Sequence, residues 1–309
     1  MNNLLEIKNV VKTYGDFTAL NNVSLTIPRG SVFGLLGPNG AGKTSLIRII
    51  NQITMQDTGE VYFDGKLLAP NDVEHIGYMP EERGLYKSMK VGEQALYLAQ
   101  LKGLSKSEAK KRLKYWFDKF DISAWWNKKI EELSKGMAQK VQFIVTVMHK
   151  PKLLIFDEPF SGFDPINAQL IAKEILQLRA EGATIIFSTH RMESVEEMCD
   201  YIALIDQSNK ILEGKLDDIK RAFRTNTFQV GLATTNPNEV EAKLKQLYAV
   251  SPADFRIINA GLKLNVTLKK GENPNDLLSF LTSQGHVQHF VELVPDVNEI
   301  FMQAVNKNS

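Results

Sequence analysis

A glycine-rich segment near the N-terminus has the residue types and spacing that bind phosphate groups. Residues 37–44 read Gly-Pro-Asn-Gly-Ala-Gly-Lys-Thr and match the pattern G-x-x-x-x-G-K-[ST] in full. Backbone N–H groups of such a loop point toward phosphate oxygens, and the N-terminus of the following helix adds partial positive charge. In this chemistry Lys43 supplies charge to the β- and γ-phosphates, and the Thr44 hydroxyl ligates Mg²⁺. The segment therefore predicts a nucleoside triphosphate site.

Two adjacent carboxylates end an apolar run in the second half of the chain. Residues 153–158 read Leu-Leu-Ile-Phe-Asp-Glu, which predicts a parallel strand that is buried on both faces. Open α/β sheets bind ligands at the carboxyl ends of their strands. We therefore expect Asp157 to hold Mg²⁺, directly or through water, and Glu158 to polarise an attacking water. A GTPase would also need the guanine-reading pattern N-K-x-D, and residues 127–130, Asn-Lys-Lys-Ile, lack the aspartate.

The elements that must position these residues alternate between strands and helices. The apolar run 31–36 predicts a strand before the glycine-rich segment, and residues 45–53 have the apolar spacing of a helix. The alternation continues to about residue 221 and predicts a mainly parallel sheet. From about residue 87 to 149 the pattern is helical, which predicts a helical subdomain inserted in this α/β domain.

The last part of the chain has a different pattern. From residue 222 to 309 the predicted order is βαββαβ followed by one helix, which indicates a small ferredoxin-like α+β domain. The predicted domains are therefore 1–221 and 222–309. His286 and His289 lie three residues apart in a predicted strand, on opposite faces, so we do not expect a metal site there.

Composition excludes several classes of protein. The chain has 309 residues, 43% of them hydrophobic and 24% charged, which excludes a long disordered tail, a collagen-like repeat and a coiled coil as the main architecture. A net charge of +1 disfavours a nucleic-acid partner. A single cysteine, Cys199, excludes an internal disulfide framework and fits a reducing cytosol. The absence of a long apolar run predicts an intracellular chain that reaches a membrane only through a partner.

A third motif gives the sequence its resemblance to a known family. Residues 133–140, Leu-Ser-Lys-Gly-Met-Ala-Gln-Lys, resemble the signature motif of ABC-type ATPases, usually L-S-G-G-Q. Residues 161–164, Ser-Gly-Phe-Asp, resemble the D-loop of that family. Tyr14 matches the aromatic residue that stacks on adenine, and His190 matches the switch histidine that contacts the γ-phosphate. Over residues 1 to about 220 the chain is therefore identified as an ABC ATPase subunit.

The resemblance implies an α/β P-loop NTPase cassette with a mixed-sheet core and a helical subdomain, to which the ferredoxin-like domain is added. It also implies ATP and Mg²⁺ as cofactors and a head-to-tail dimer, either a homodimer or a paired ABC subunit. ATP then lies between one chain's glycine-rich loop and the partner's signature. Ser134, which is also a predicted helix N-cap, and Gly136 would face the partner's γ-phosphate.

The resulting site prediction has three groups of residues. The catalytic residues are Lys43, Glu158 and His190. The metal ligands are Thr44, Glu81 and Asp157. The nucleotide-binding residues are Tyr14, Gly37, Pro38, Asn39, Gly40, Ala41, Gly42, Lys43, Thr44, Ser45, Ser134, Gly136 and Asp164.

Three positions depart from the usual pattern of the family. Glu81 stands where glutamine is usual, and its carboxylate still suits Mg²⁺. Met137 replaces the usual glutamine of the signature. Lys135 replaces a glycine; a cation at a helix N-terminus is unfavourable, but it could offset phosphate charge. Glu158 and His190 are both present, which favours a hydrolysing site.

One cassette joined to a small C-terminal α/β domain resembles the sodium-efflux and drug-export type of bacterial ABC ATPases. The resemblance implies an exporter subunit on the cytoplasmic face of the membrane, with a separate permease docked between loop 80–89 and the helical subdomain. The alternatives are a soluble ABC ATPase acting on ribosomes or DNA and a regulatory binder that does not hydrolyse ATP. Ribosomal members usually carry two cassettes, whereas this sequence has one. DNA-acting members carry long coiled coils, and this sequence has none.

Overall fold

The computed structural model describes residues 2–81, 84–189, 191–256 and 261–308. The predicted switch residue His190 lies outside them. The chain divides into two compact units, residues 1–216 with 301–309, and residues 217–300. Within the described ranges, no helix has the length and apolar character needed to cross a membrane.

The first unit contains two sheets. Its strands are β1 (Asn3–Tyr14), β2 (Phe17–Pro28), β3 (Val32–Leu36), β4 (Thr58–Phe63), β5 (Lys66–Leu67), β6 (Ile76–Met79), β7 (Leu153–Asp157), β8 (Thr184–Ser188), β9 (Tyr201–Asp206) and β10 (Asn209–Lys215). Its helices are α1 (Lys43–Ile50), α2 (Val91–Leu101), α3 (Lys106–Lys119), α4 (Lys135–Val147), α5 (Pro165–Ala180) and α6 (Met192–Met198). Helix α7 (Leu216–Ala222) begins at the last residue of this part of the first unit, and its other residues belong to the second unit.

The central sheet has the strand order β10-β9-β3-β8-β7-β6. Five of these strands are parallel, and β10 pairs with β9 in the antiparallel sense. Every residue of β3, β7 and β8 is buried, as expected for parallel strands covered on both faces. The carboxyl ends of β3 and β7 therefore present the glycine-rich loop and the acid pair at the same edge of one sheet.

An antiparallel sheet of order β2-β1-β4-β5 accompanies the central sheet. One buried apolar cluster joins the two sheets and α1, with side chains such as Ile7, Leu25, Phe33, Ile47 and Ile155. Each fully buried Leu or Ile contributes about 1.5–3 kcal/mol relative to an exposed position. This shared core fixes the glycine-rich loop between β3 and α1. The sheet is mixed overall, as the resemblance implied.

The helical segment between β6 and β7 packs through aromatic side chains. Trp116, Phe120 and Phe143 lie with ring centroids 5.7–6.2 Å apart, and Phe143 stacks on Phe156 of β7 at 5.6 Å. Ser105 caps α3 by accepting a hydrogen bond from the backbone N–H of Glu108. These contacts tie the helices to the strand that carries the acid pair.

The second unit contains β11 (Thr227–Ala233), α8 (Pro237–Leu247), β12 (Ala249–Pro252), β13 (Leu262–Thr267), α9 (Pro274–Gln284) and β14 (His286–Glu292). The last helix, α10 (Val297–Asn308), begins in this unit, and its residues from 301 onward belong to the first unit. The strand order is β12-β13-β11-β14, and every pair is antiparallel. Phe228, Val230 and Leu232 alternate along β11 into a core shared with both α8 and α9. The predicted ferredoxin-like order is confirmed.

Candidate functional site

The glycine-rich loop between β3 and α1 has a backbone that requires its glycines. Gly37, Gly40 and Gly42 have φ values of 146°, 81° and 115°. A Cβ atom at Gly37 would lie 2.1 Å from the carbonyl oxygen of Ile205, and one at Gly42 would lie 2.3 Å from that of Ala19. Around Gly40 there is open space. The loop is thus held tightly at both ends and open at its centre, as a cradle for phosphate groups must be.

Lys43, the first residue of α1, folds back over this loop. Its Nζ donates hydrogen bonds to the carbonyl oxygens of Gly37 at 2.6 Å and Pro38 at 2.9 Å. Burial lowers the pKa of the Lys43 ammonium, and three carboxylates act in the opposite direction. These carboxylates belong to Asp157, Glu158 and Glu81. The structure therefore places the predicted lysine in the field of all three predicted acids.

Asp157 is the last residue of β7 and is only 8% exposed. Burial raises the pKa of its carboxyl group, and the negative charges of Glu81 and Glu158 raise it further, against the effects of Ser188 and Lys43. Excess negative charge at a buried edge suits a cation. Among the described residues there is no group of three or more His, Cys, Asp or Glu that could hold a metal ion. Mg²⁺ commonly takes one or two carboxylates and completes its shell with substrate phosphates and water, so the donor set fits Mg²⁺ bound together with a nucleotide.

Glu158 is fixed by the neighbouring strand β8. Its φ of 49° lies in the left-handed region, which costs a non-glycine residue of order 1–3 kcal/mol. Its backbone N–H donates to the carbonyl of Ser188 at 2.9 Å, and its Oε2 accepts a hydrogen bond from Thr189 Oγ1 at 3.2 Å. The backbone N–H of Arg191 in turn donates to Thr189 Oγ1 at 3.1 Å. The end of β8 therefore holds both the backbone and the side chain of Glu158.

The signature segment begins α4 and contacts residues 161–164 of its own chain. Ser134 accepts a hydrogen bond from the backbone N–H of Met137 at 3.3 Å, so the predicted N-cap is confirmed. A Cβ atom at Gly136 would lie 3.5 Å from the carbonyl oxygen of Gly162. Further along α4, Gln142 Nε2 donates to the carbonyl of Pro80 at 3.0 Å. One helix thus links the signature to the loop that carries Glu81.

Comparison with known proteins identifies the family. A family model described as ABC transporter matches residues 20–161, and one described as the C-terminal domain of DrrA1-3-like ATP-binding proteins matches residues 214–305. The ABC transporter ATP-binding protein YhaQ of Bacillus subtilis is 39% identical over 302 residues, which are 98% of this chain and 98% of that protein. The chain belongs to the ABC transporter ATP-binding proteins. It is an ATP-binding cassette subunit and an ATPase.

Other ABC proteins align with the cassette part of the chain. The linearmycin resistance ATP-binding protein LnrL of Bacillus subtilis is 35% identical over 219 residues, 70% of each chain. A solved ATP-binding subunit of an ABC transporter superposes with a TM-score of 0.67 and 32% identity, covering 71% of this chain and 93% of its own. A dimeric cassette, MJ0796, in a post-hydrolysis state with ADP and Pi superposes with a TM-score of 0.64 and 25% identity, covering 69% and 98%.

The other predicted residues of this ABC subunit occupy three places. Thr44 and Ser45 lie in the first turn of α1, directly after the glycine-rich loop. Tyr14 ends β1 with 44% of its surface exposed, and the Lys12 ammonium lies 5.3 Å from its ring centroid. Asp164 caps α5, and its two carboxylate oxygens accept hydrogen bonds from the backbone and side-chain nitrogens of Asn167. Those bonds lower the pKa of Asp164.

Two residues of the ABC subunit that the sequence did not predict hold predicted site residues in place. Thr189 orients Glu158, and its only sequence signal is its place beside His190 at the end of an apolar run. Asp57 accepts hydrogen bonds at 2.7 Å from Lys12 Nζ and from the backbone N–H and hydroxyl of Thr13, next to Tyr14. Nothing in the local sequence around Asp57 indicates this role.

The structure also shows where the Lys135 side chain lies. The sequence suggested that its charge could offset phosphate charge. Within its own chain, its ammonium lies 3.4 Å from Ser161 Oγ in the D-loop, and its side-chain stem lies over Gly162. The hydrocarbon stem of a lysine packs readily on backbone of this kind.

Proposed function

We propose that the chain hydrolyses ATP at the edge of the central sheet where Lys43, Asp157 and Glu158 meet, and that it thereby powers an exporter. The observation that carries this proposal is that the glycine-rich loop, with Lys43 folded back over it, follows β3 at the same sheet edge where β7 ends in Asp157 and is followed by Glu158. Phosphoryl transfer needs mainly positioning and charge stabilisation, which this group of residues supplies.

Each residue has a defined part in the proposed reaction. The backbone of the glycine-rich loop, Lys43 and Ser45 would bind the phosphates, and Tyr14 would stack on the base. Thr44, Glu81 and Asp157 would hold Mg²⁺, whose charge would stabilise the negative charge that develops on the phosphate oxygens. Glu158 would accept a proton from the attacking water as the water oxygen bonds to the γ-phosphorus and the bond to the bridging oxygen breaks. His190 would contact the γ-phosphate.

ATP binding requires Lys43 to exchange its partners. The two carbonyl oxygens that it now contacts, those of Gly37 and Pro38, belong to the loop itself. A phosphate group in the loop offers a charged acceptor in their place, and hydrogen bonds to charged groups are the stronger kind. Because the ammonium is already partly desolvated, its interaction with phosphate is weakened less by water than that of an exposed lysine.

ABC ATP-binding subunits dimerise and work with membrane permeases, and we propose the head-to-tail form of the dimer for this chain. Ser134 and Gly136 would face the γ-phosphate held by the partner subunit, and Asp164 would lie near it through the D-loop. The side-by-side contact of the signature and the D-loop supports a single surface directed at the partner. The dimeric post-hydrolysis cassette that superposes on this chain supports the same arrangement.

Export rather than uptake is the proposed direction of transport. The linearmycin resistance protein supports it, as does the match of residues 214–305 to the C-terminal domain of DrrA1-3-like proteins. We propose a cassette over residues 1–221 with its helical subdomain at about 87–149, and an accessory domain over 222–309. A permease would dock between loop 80–89 and the helical subdomain, where Tyr86 and Tyr97 are exposed. The chain would then lie at the cytoplasmic face of the membrane.

Three measurements test this proposal. MgATP turnover by the purified chain should fall about 10²-fold or more in Glu158→Gln, because general base catalysis is worth about 10²–10⁴-fold. Lys43→Ala should lose nucleotide affinity, while Lys66→Ala, on exposed strand β5, should not. Equal turnover in the wild type and Glu158→Gln would refute hydrolysis at this site.

Affinity capture from detergent-solubilised membranes tests the exporter, and it should recover a polytopic membrane protein in near-equal amount. Recovery of the chain from cytosol alone, with ribosomes or without a partner, would contradict the exporter.

A further inference from the structure

Lys135 of the signature lies on the D-loop of its own chain. Its Nζ donates a hydrogen bond to Ser161 Oγ at 3.4 Å. The stem of the side chain fills the space that a side chain at Gly162 would need, because a Cβ atom there would lie 2.5 Å from both Cδ and Cε of Lys135. Gly162 has a φ of 86°, so the D-loop turns under the lysine in a conformation that favours glycine.

The D-loop is in turn joined to the acid pair. The backbone N–H of Ser161 donates to the carbonyl of Glu158 at 3.1 Å, and that of Phe163 donates to the carbonyl of Phe160 at 3.3 Å. The contact at Ser161 therefore lies one hydrogen bond away from the proposed general base. A continuous set of contacts runs from α4 through Lys135 and Ser161 to Glu158.

The position of Lys135 is costly by itself. It is the first residue of α4, and no acidic residue lies in the first turn of that helix to offset the charge. A cation at a helix N-terminus is unfavourable, because the helix dipole places partial positive charge there. The hydrogen bond to Ser161 and the packing on Gly162 offset this cost and exist only if the D-loop stays beside the signature.

We infer that Lys135 is a positioning residue that joins the signature to the D-loop, so that the surface directed at the partner's nucleotide moves together with the segment that begins at Glu158. The inference rests on the proposed head-to-tail dimer for its functional consequence, but not for the contact itself. In such a dimer the signature reports on the partner's nucleotide, and Glu158 acts on the chain's own. Lys135 thus couples the two sites mechanically.

The first test needs no nucleotide. Hydrogen exchange of the peptide spanning residues 160–164 is compared in the wild type, Lys135→Ala and Lys140→Ala. Lys140 lies on the same helix, and within the described part of the chain its side chain has no ion pair or side-chain hydrogen bond. We expect exchange in Lys135→Ala to accelerate about fivefold, the scale of one hydrogen bond near the surface, and Lys140→Ala to match the wild type. Unchanged exchange in Lys135→Ala overturns the inference.

A glycine pair checks the packing contact separately. Gly162→Ala places a methyl group against the lysine stem, whereas Gly182→Ala places one in open space at a similar positive φ of 103°. Because the strain at Gly162 can itself accelerate exchange in residues 160–164, the packing contact is measured in the Gly162→Ala background, where Lys135→Ala should change exchange less than it does in the wild type. Lys135→Met keeps the stem and removes the ammonium, and should give an intermediate acceleration. If Lys135→Met lowers ATP-driven dimerisation while exchange stays at the wild-type rate, the charge acts on phosphate and the inference is wrong.

The second test uses ATP-driven dimerisation in the Glu158→Gln background. We expect Lys135→Ala to raise the ATP concentration for half-maximal dimerisation about threefold and to lower the Hill coefficient of turnover in chains that retain Glu158. Faster exchange with unchanged dimerisation and cooperativity would overturn the coupling. If Glu158→Gln alone stays monomeric with ATP, the proposed dimer fails, and the exchange experiment still decides whether Lys135 holds the D-loop.

Discussion

The hydroxyl of Thr189 donates a hydrogen bond to Oε2 of Glu158, with the two oxygens 3.2 Å apart. Thr189 is only 2% exposed, and its own oxygen accepts from the backbone N–H of Arg191. A buried hydroxyl that both donates and accepts has a fixed orientation. The carboxylate of Glu158 is therefore aimed by the end of β8, although Glu158 itself follows β7.

Replacement of Thr189 should slow the chemical step more than it weakens binding. Thr189→Val keeps the shape and removes the hydroxyl, so Glu158 loses the bond that orients it, and we expect kcat for MgATP to fall about tenfold with KM little changed. Thr189→Ser keeps both hydrogen bonds and should stay within about twofold of the wild type. Steady-state kinetics with a melting curve for each variant makes the comparison. Wild-type kcat in a folded Thr189→Val chain would contradict the orienting role.

The contiguous parts of the site could be predicted from the sequence. The glycine-rich loop and the acid pair each lie within a few residues, and their flanking apolar runs indicate the strands that present them. The order of the second unit was also predictable, because few arrangements bury one face of four short strands under two helices. The start of α5 also has a local signal, because Asp164 caps the helix and Pro165 is its first residue.

The contacts that tune the site join residues far apart in the sequence. Thr189 and Glu158 are 31 residues apart, and Asp57 and Thr13 are 44 apart. The sequence suggested only that the charge of Lys135 could offset phosphate charge. Its contact with Ser161 depends on how α4 packs beside the D-loop. Such partners follow from tertiary packing and have no local signal.

Asp57 should control how firmly Tyr14 is held in position to stack on the base of ATP. It holds the end of β1 through three hydrogen bonds of 2.7 Å to Lys12 and Thr13. Asp57→Asn loses the ion pair with Lys12 and weakens the hydrogen bonds from Thr13, so we expect KM for ATP to rise about threefold. We expect kcat to stay unchanged, because the contact of Tyr14 with the base is equally strong in the ground state and in the transition state. Asp16→Asn removes the same charge from the exposed turn of the same hairpin and is the control. Equal KM values in the two variants would argue against this role.

The pH dependence of this effect has a definite direction. The side-chain hydrogen bonds from Lys12 and Thr13 lower the pKa of Asp57 from 3.8 to about 2. The carboxylate contacts are thus fully present above pH 3.8 and are lost only as the pH falls toward 2. The ratio of KM values between Asp57→Asn and the wild type should therefore stay constant from neutral pH down to about 5. A ratio that changes over this interval would assign the titration to another group.

His149 should make the stability of the first unit sensitive to mild acid. Burial lowers its pKa from 6.5 to about 4, and the positive charge of Lys102 acts in the same direction. The unfolded chain takes up a proton as the pH falls through 6.5, whereas the folded chain does so only near 4. The stability that the neutral ring provides is complete above pH 6.5 and is lost between 6.5 and 4, by up to about 3 kcal/mol.

His149→Gln isolates this contribution, because glutamine is neutral at every pH. Denaturant unfolding at a series of pH values should show a smaller loss of stability between pH 6.5 and 4 in this variant than in the wild type. His75→Gln, at an exposed position nearby, should keep the wild-type slope. Parallel curves for His149→Gln and the wild type would mean that other groups carry the acid sensitivity. A difference confined to this pH interval would locate it at the end of α4, where His149 follows the helix that begins at the signature.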